Sequence, residues 1–271
     1  ALPPSPLDFF EPESLFLELD SGLLEVASLV LVDLLLELDA PSFEHRAFDL
    51  ESGLPLRVIL FRRSDAEHVL LLSVDHIVAD FWSMSVLAQE LLTLYVAARK
   101  GMPAALPPLP VQYADFVYWH NERLAGVDGE RLLAYWQEQL AGELPLLDLP
   151  TDRPRQPLQT FEGDATGLTL PAEVAEGLRE LARAHGTTLY TVLLAAFQAL
   201  LYRYTGQEDV LLGSVIAGRG HPDLAGVVGY FVNAVPLRAD LSGDPAFGDF
   251  LGQVRGTVLG AIEHQDYPPP L

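Results

Sequence analysis

Between Leu56 and Ala98 the chain changes its hydrophobic rhythm once, and that change restricts what it can fold into. Leu56 to Phe61 reads as a strand, Arg62 to Glu67 as a polar turn, and His68 to Val74 as the returning strand of a hairpin. The run from Met84 to Ala98 then places Leu87, Leu91, Leu94, Tyr95 and Ala98 on one stripe at helical spacing, and Gly101 closes the helix. A hairpin that hands over to a helix through a short loop implies mixed α and β structure. With the turn centred on Asp65 and Ala66, Arg57 stands opposite Val74 and beside Asp75, a candidate ion pair.

Downstream, a proline-rich loop spans Pro103 to Pro110, followed by helical stretches at Tyr113 to Leu124 and Arg131 to Leu140. Residues 144–165 carry Pro145, Pro150, Pro154 and Pro157 and read as an inter-lobe linker. The pattern then begins again, with helices at Pro171 to His185 and Thr188 to Tyr204 and a strand at Val210 to Val215. A loop at Ala217 to Asp223, a strand at Tyr230 to Leu237 and a helix at Phe247 to Glu263 complete it. The expected organisation is an N-terminal lobe at 1–143, the linker at 144–165 and a C-terminal lobe at 166–271. Leu23 to Leu38 is leucine-dense but broken by Glu25, Asp33 and Glu37. It is short for a bilayer and lacks the flanks of a signal peptide, so it reads as a helical core segment.

Charge narrows the partners. A net charge of −22 with Lys100 as the single lysine argues against nucleic acid and against an anionic membrane. The absence of cysteine removes disulfide and thiolate chemistry and is compatible with a cytoplasmic location. No H-E-x-x-H or comparable ligand cluster is present, so no metal is expected.

His76 is the best candidate for a catalytic base, because a strand fixes its backbone and a helix start follows it. The unbonded N–H groups of that helix start favour developing negative charge. On spacing alone, a buried histidine bonded to a main-chain carbonyl fits as well. Asp80 suits a supporting role, as helix cap or ion-pair partner, whereas Asp75 points away from His76 if the strand continues. Gly213 to Gly218 has phosphate-loop glycine spacing, but Arg219-Gly220 replaces the required Lys-Ser/Thr, leaving a turn. No G-x-S-x-G elbow or obvious serine nucleophile exists.

Several segments together resemble the condensation domains of nonribosomal peptide synthetases, within the chloramphenicol-acetyltransferase-like superfamily. Val74-Asp-His-Ile-Val-Ala-Asp-Phe-Trp-Ser83 is similar to the family's H-H-x-x-x-D-G motif. Phe48-Asp-Leu50, Gly53 and Leu56-Arg57 resemble the segment preceding it, and Tyr113 to Trp119 the Y-x-D-F/Y-x-x-W motif. Thr151 to Pro154, Tyr204 to Val210, Val228 to Asn233 and His264 to Pro268 follow in the family's order.

The resemblance implies an α/β fold of the two-layer α+β kind, with two lobes in a V and a tunnel between them. It also implies transfer of a carrier-bound acyl or peptidyl donor to a carrier-bound aminoacyl acceptor, forming an amide. The partners are then donor and acceptor carrier proteins and neighbouring synthetase domains. The domain itself binds no cofactor, since phosphopantetheine on the carriers tethers both substrates. His76 aligns with the histidine assigned to the chemistry, Asp80 with the structural aspartate and Asn233 with a strand asparagine near the tunnel. Asp75, Phe81, Trp82 and Ser83 join Asn233 along the expected substrate path.

The departures are Asp75 for the first histidine, Phe81 for the glycine, Ala234 for threonine and Pro269-Pro270 for Phe-Glu. The family's earliest and last motifs are not found, so truncation at both ends is expected, and Arg57 stands in for the early arginines that anchor the aspartate. Three other readings share the fold: a carrier-docking or gating module without catalysis, an ester-forming variant and a coenzyme A-dependent acyltransferase.

Overall fold

The computed structural model describes residues 47–153 and 167–268. Leu23 to Leu38, residues 154–165 of the expected linker and Pro269-Pro270 therefore lie outside the described residues. Contacts divide the chain into two units, one of residues 47–113 with 219–231, the other of the remaining described residues.

In the first unit, β1 (Leu56–Arg62) and β2 (His68–Val74) form an antiparallel hairpin. Their register pairs Leu56 with Val74 and Arg57 with Ser73, one residue from the expected pairing. The turn causes the shift. Ser64 Oγ accepts from Ala66 N and Glu67 N, while Arg63 N and Ser64 N both donate to Glu67 O. That makes a five-residue loop centred on Asp65 alone. Ile59, Phe61 and Leu71 share one face and form a small apolar cluster.

Helix α1 (Phe81–Arg99) begins earlier than its apolar stripe, because Asp80 caps it: the Asp80 carboxylate accepts from Ser83 N at 2.7 Å. Apolar residues extend beyond the expected stripe, and Leu92 and Val96 are exposed with Leu91, Leu94 and Tyr95. Length and composition alone would let α1 cross a bilayer, but its start is tied by Asp80 into the folded unit.

In the second unit α2 (Tyr113–Leu124), whose first residue belongs to the first unit, is followed by α3 (Val127–Gln139), α4 (Ala172–Ala184) and α5 (Leu189–Thr205). Then come β3 (Asp209–Ile216), β4 (Asn233–Asp240) and α6 (Phe247–Glu263). Strands β3 and β4 pair antiparallel, and the period-two face Val235, Leu237, Ala239 of β4 is buried. It joins Val192, Ala195 and Leu201 of α5, Trp136 of α3, and the three-and-four stripe Phe250, Val254, Val258, Ala261 of α6 in one core. Each large side chain enclosed there contributes about 1.5–3 kcal/mol of apolar burial. Helix α5 is capped by Thr188, which accepts from Thr191 N, and ends at Gly206, whose φ of 70° is the left-handed conformation glycine adopts without strain.

Between β3 and β4 the segment Arg219 to Phe231 leaves the second unit and completes the first. For that reason β4 starts at Asn233 and not at the expected Tyr230, since the backbone of residues 229–231 is bonded elsewhere.

Candidate active site

Six residues, 75–80, turn the chain from β2 into α1, and two side chains shape them. Asp75 Oδ1 accepts from Ile77 N at 3.0 Å, and Asp75 O from Val78 N at 3.1 Å, closing a tight turn under His76. The imidazole then folds back, with Nδ1 at 2.7 Å from Ala79 O. A carbonyl can only accept, so Nδ1 carries the proton and the neutral ring leaves its lone pair on Nε2. His76 is exposed, and Ile77, Val78 and Phe81 around it are exposed as well, at 62, 36 and 75%. The turn that carries His76 thus also exposes three large apolar side chains.

Asp80, by contrast, is wholly enclosed. Its Oδ1 accepts from Ser83 N and Ser83 Oγ, both at 2.7 Å, and from Arg219 Nη2 at 3.0 Å. Its Oδ2 accepts from Phe231 N at 3.1 Å. Ser83 Oγ in turn accepts from Arg219 Nη2 at 2.8 Å and from Gly229 N at 3.0 Å. Arg219 Nη1 donates to Leu224 O and Val227 O, each at 2.6 Å, and its guanidinium lies 4.0 Å over the Phe231 ring. Side-chain exposure is 3% for Arg219 and 0% for Asp80. A buried ion pair is stable only when its remaining lone pairs and protons are bonded, as almost all are here.

Burial raises the Asp80 carboxyl, but the bonds from Ser83, Arg219 and Phe231 outweigh it and hold the group below the usual carboxylate range. Burial pulls the Arg219 guanidinium below its usual value, against the opposing pull of Asp80.

Arg57 was the cation expected to anchor Asp80. Among the described residues the cation bonded to Asp80 is Arg219, whereas Arg57 donates to Ala47 O at 2.6 Å and lies 4.0 Å over the Phe48 ring. Nor does Asp75 meet Arg57 among the described residues; its carboxylate caps Ile77. Ser83, expected on the substrate path, is fully buried within the network, and Trp82 Nε1 is turned to Ala225 O at 2.8 Å. The helix start is also less open to an oxyanion than expected, because Ser83 N and Met84 N are committed to Asp80. Asn233 belongs to the second unit, where Nδ2 donates to Gln265 O at 2.6 Å and Tyr267 O at 3.2 Å.

Two residues are not visible from sequence. Arg219 stands in a glycine-rich turn, and the one available signal is an arginine between two glycines in an otherwise acidic chain. Tyr230 lies inside an expected strand. Its ring sits 5.2 Å from that of His76, edge to face, with an interplanar angle of 62°.

Gly229 is the tightest point of the assembly. A Cβ there would collide with the Tyr113 ring, whose hydroxyl donates to Tyr230 O at 2.7 Å. Gly229→Ala should therefore cost about 1–3 kcal/mol, read as a lower denaturant midpoint with unchanged m-value.

The geometry of His76 and Asp80 meets a family signature. The profile described as Condensation domain matches residues 38–270. This chain belongs to the condensation-domain family. One of the linear gramicidin synthase proteins of Brevibacillus parabrevis is 48% identical over 223 residues, 82% of this chain but 3% of that protein. The X-domain from teicoplanin biosynthesis superposes with a TM-score of 0.77 at 32% identity, covering 86% of this chain and 53% of that one. The first condensation domain of the CDA synthetase superposes with a TM-score of 0.63 at 27% identity, covering 79% and 47%. The chain thus spans about half of the solved domains it matches and a small part of the curated synthetase. The mixed α/β fold is that of the chloramphenicol-acetyltransferase-like class.

Proposed function

We propose that this condensation domain forms an amide between a carrier-bound acyl or peptidyl thioester and a carrier-bound aminoacyl group in cytoplasmic nonribosomal peptide synthesis. The observation that carries the proposal is His76, an exposed histidine with Nδ1–H fixed on Ala79 O at 2.7 Å, which leaves Nε2 without a hydrogen bond among the described residues. As the acceptor nitrogen attacks the thioester carbon, Nε2 takes the proton the nitrogen sheds. Collapse of the tetrahedral intermediate expels the phosphopantetheine thiolate, which the imidazolium reprotonates. Asp80 touches no substrate; it fixes the loop that carries the base. Donor and acceptor carriers and neighbouring synthetase domains are the partners, and no cofactor binds to the domain itself.

A carrier-docking module of the same fold is the second reading, favoured by Phe81, 75% exposed at the residue after Asp80 where it can crowd the approach to His76. Intact mass separates the two. The wild type, mixed with an acyl-loaded donor carrier and an aminoacyl-loaded acceptor carrier, is expected to move the acyl mass onto the acceptor. Bound carriers with unchanged masses would favour docking.

A further inference from the structure

Among the described residues the His76 side chain has one hydrogen bond, and one bond leaves an exposed imidazole free to pivot about it. A second restraint is present in the Tyr230 ring, edge to face with the imidazole at 5.2 Å. Tyr230 is no core filler, since 43% of it is exposed. Its backbone is nevertheless among the most tightly mounted in the first unit. Gly229 N donates to Ser83 Oγ at 3.0 Å, Tyr230 O accepts from Tyr113 OH at 2.7 Å, and Phe231 N donates to Asp80 Oδ2 at 3.1 Å. Three consecutive residues are thus bonded to the Asp80 network and its neighbour Tyr113, while the side chain of the middle one is directed to the base. Such mounting makes the aromatic edge a fixed stop.

We propose that Tyr230 is the positioning residue of His76: its ring, mounted by the Asp80–Ser83–Arg219 network, holds the imidazole so that Nε2 faces the acceptor amine. The proposal rests on the reading of His76 as the base. It also gives the buried network a route to the chemistry, for Asp80 holds the base from one side through Ala79 and α1 and from the other through Phe231 and Tyr230.

The test compares wild type, Tyr230→Phe and Tyr230→Leu. The side-chain nitrogens of His76 are followed by ¹⁵N NMR at pH ~8, above the ordinary imidazole range, and carrier-to-carrier transfer is followed by intact mass. Wild type and Tyr230→Phe are expected to show one tautomer, protonated at Nδ1. Tyr230→Leu is expected to show ring nitrogens averaged between tautomers and a kcat lower by roughly three- to tenfold, with the acceptor KM unchanged. Ring nitrogens of Tyr230→Leu identical to wild type would overturn the positioning role, whatever the rate. Averaged nitrogens in Tyr230→Leu with no transfer by the folded wild type would uphold the positioning role and overturn condensation instead.

Discussion

Arg219→Ala is expected to lower the unfolding free energy by about 3–5 kcal/mol, the loss typical when one member of a buried ion pair is removed. The arginine satisfies two carbonyls, Leu224 O and Val227 O, as well as Asp80 and Ser83. Its removal leaves Asp80, with no exposed side-chain surface, charged and without the guanidinium that pairs with it. The bonds from Ser83 and Phe231 persist, but neither supplies a compensating charge. Arg219→Lys cannot reproduce the fork that bonds both carbonyls and the carboxylate together, so little rescue is expected. Chemical denaturation checks both variants. A loss below about 1 kcal/mol, the value of an exposed pair, would mean that water reaches this site and that Asp80 is not the anchor of the loop.

His76→Ala is expected to lower the transfer rate by about 10²–10⁴, the contribution of a positioned general base. Stability should barely change. The side chain is exposed and, among the described residues, makes one bond, to Ala79 O, in a turn that Asp75 closes independently. The two variants thus separate the roles proposed for them, stability for Arg219 and chemistry for His76, although both act on the loop that leads into α1.

The hairpin, the loop and α1 were legible in the sequence because they are set by neighbours in the chain. Asp80 caps Ser83, three residues on, and the hydrophobic pattern reports helix and strand locally. The hairpin register was one residue off because Ser64 Oγ sets a five-residue turn that hydrophobicity does not report. Arg219 was invisible for a different reason. Its partner lies 139 residues away in the chain, and no periodicity reports a contact at that distance. Tyr230 reads as strand because it continues the apolar run of β4, and only its carbonyl's bond to Tyr113 and its neighbours' bonds to Ser83 and Asp80 take it out. The candidate base could be read locally, whereas the parts that hold it could not.

The most direct measurement is the single-turnover transfer of an acyl group from a donor carrier to an aminoacyl acceptor carrier, followed by intact mass for wild type and His76→Ala. Both proteins would first be shown to melt alike. Transfer by the wild type, with a loss of about a hundredfold or more in the variant, is the result expected of a positioned base. Equal rates in the two proteins would contradict it, since Nε2 of His76 would then have no part in moving the acceptor's proton.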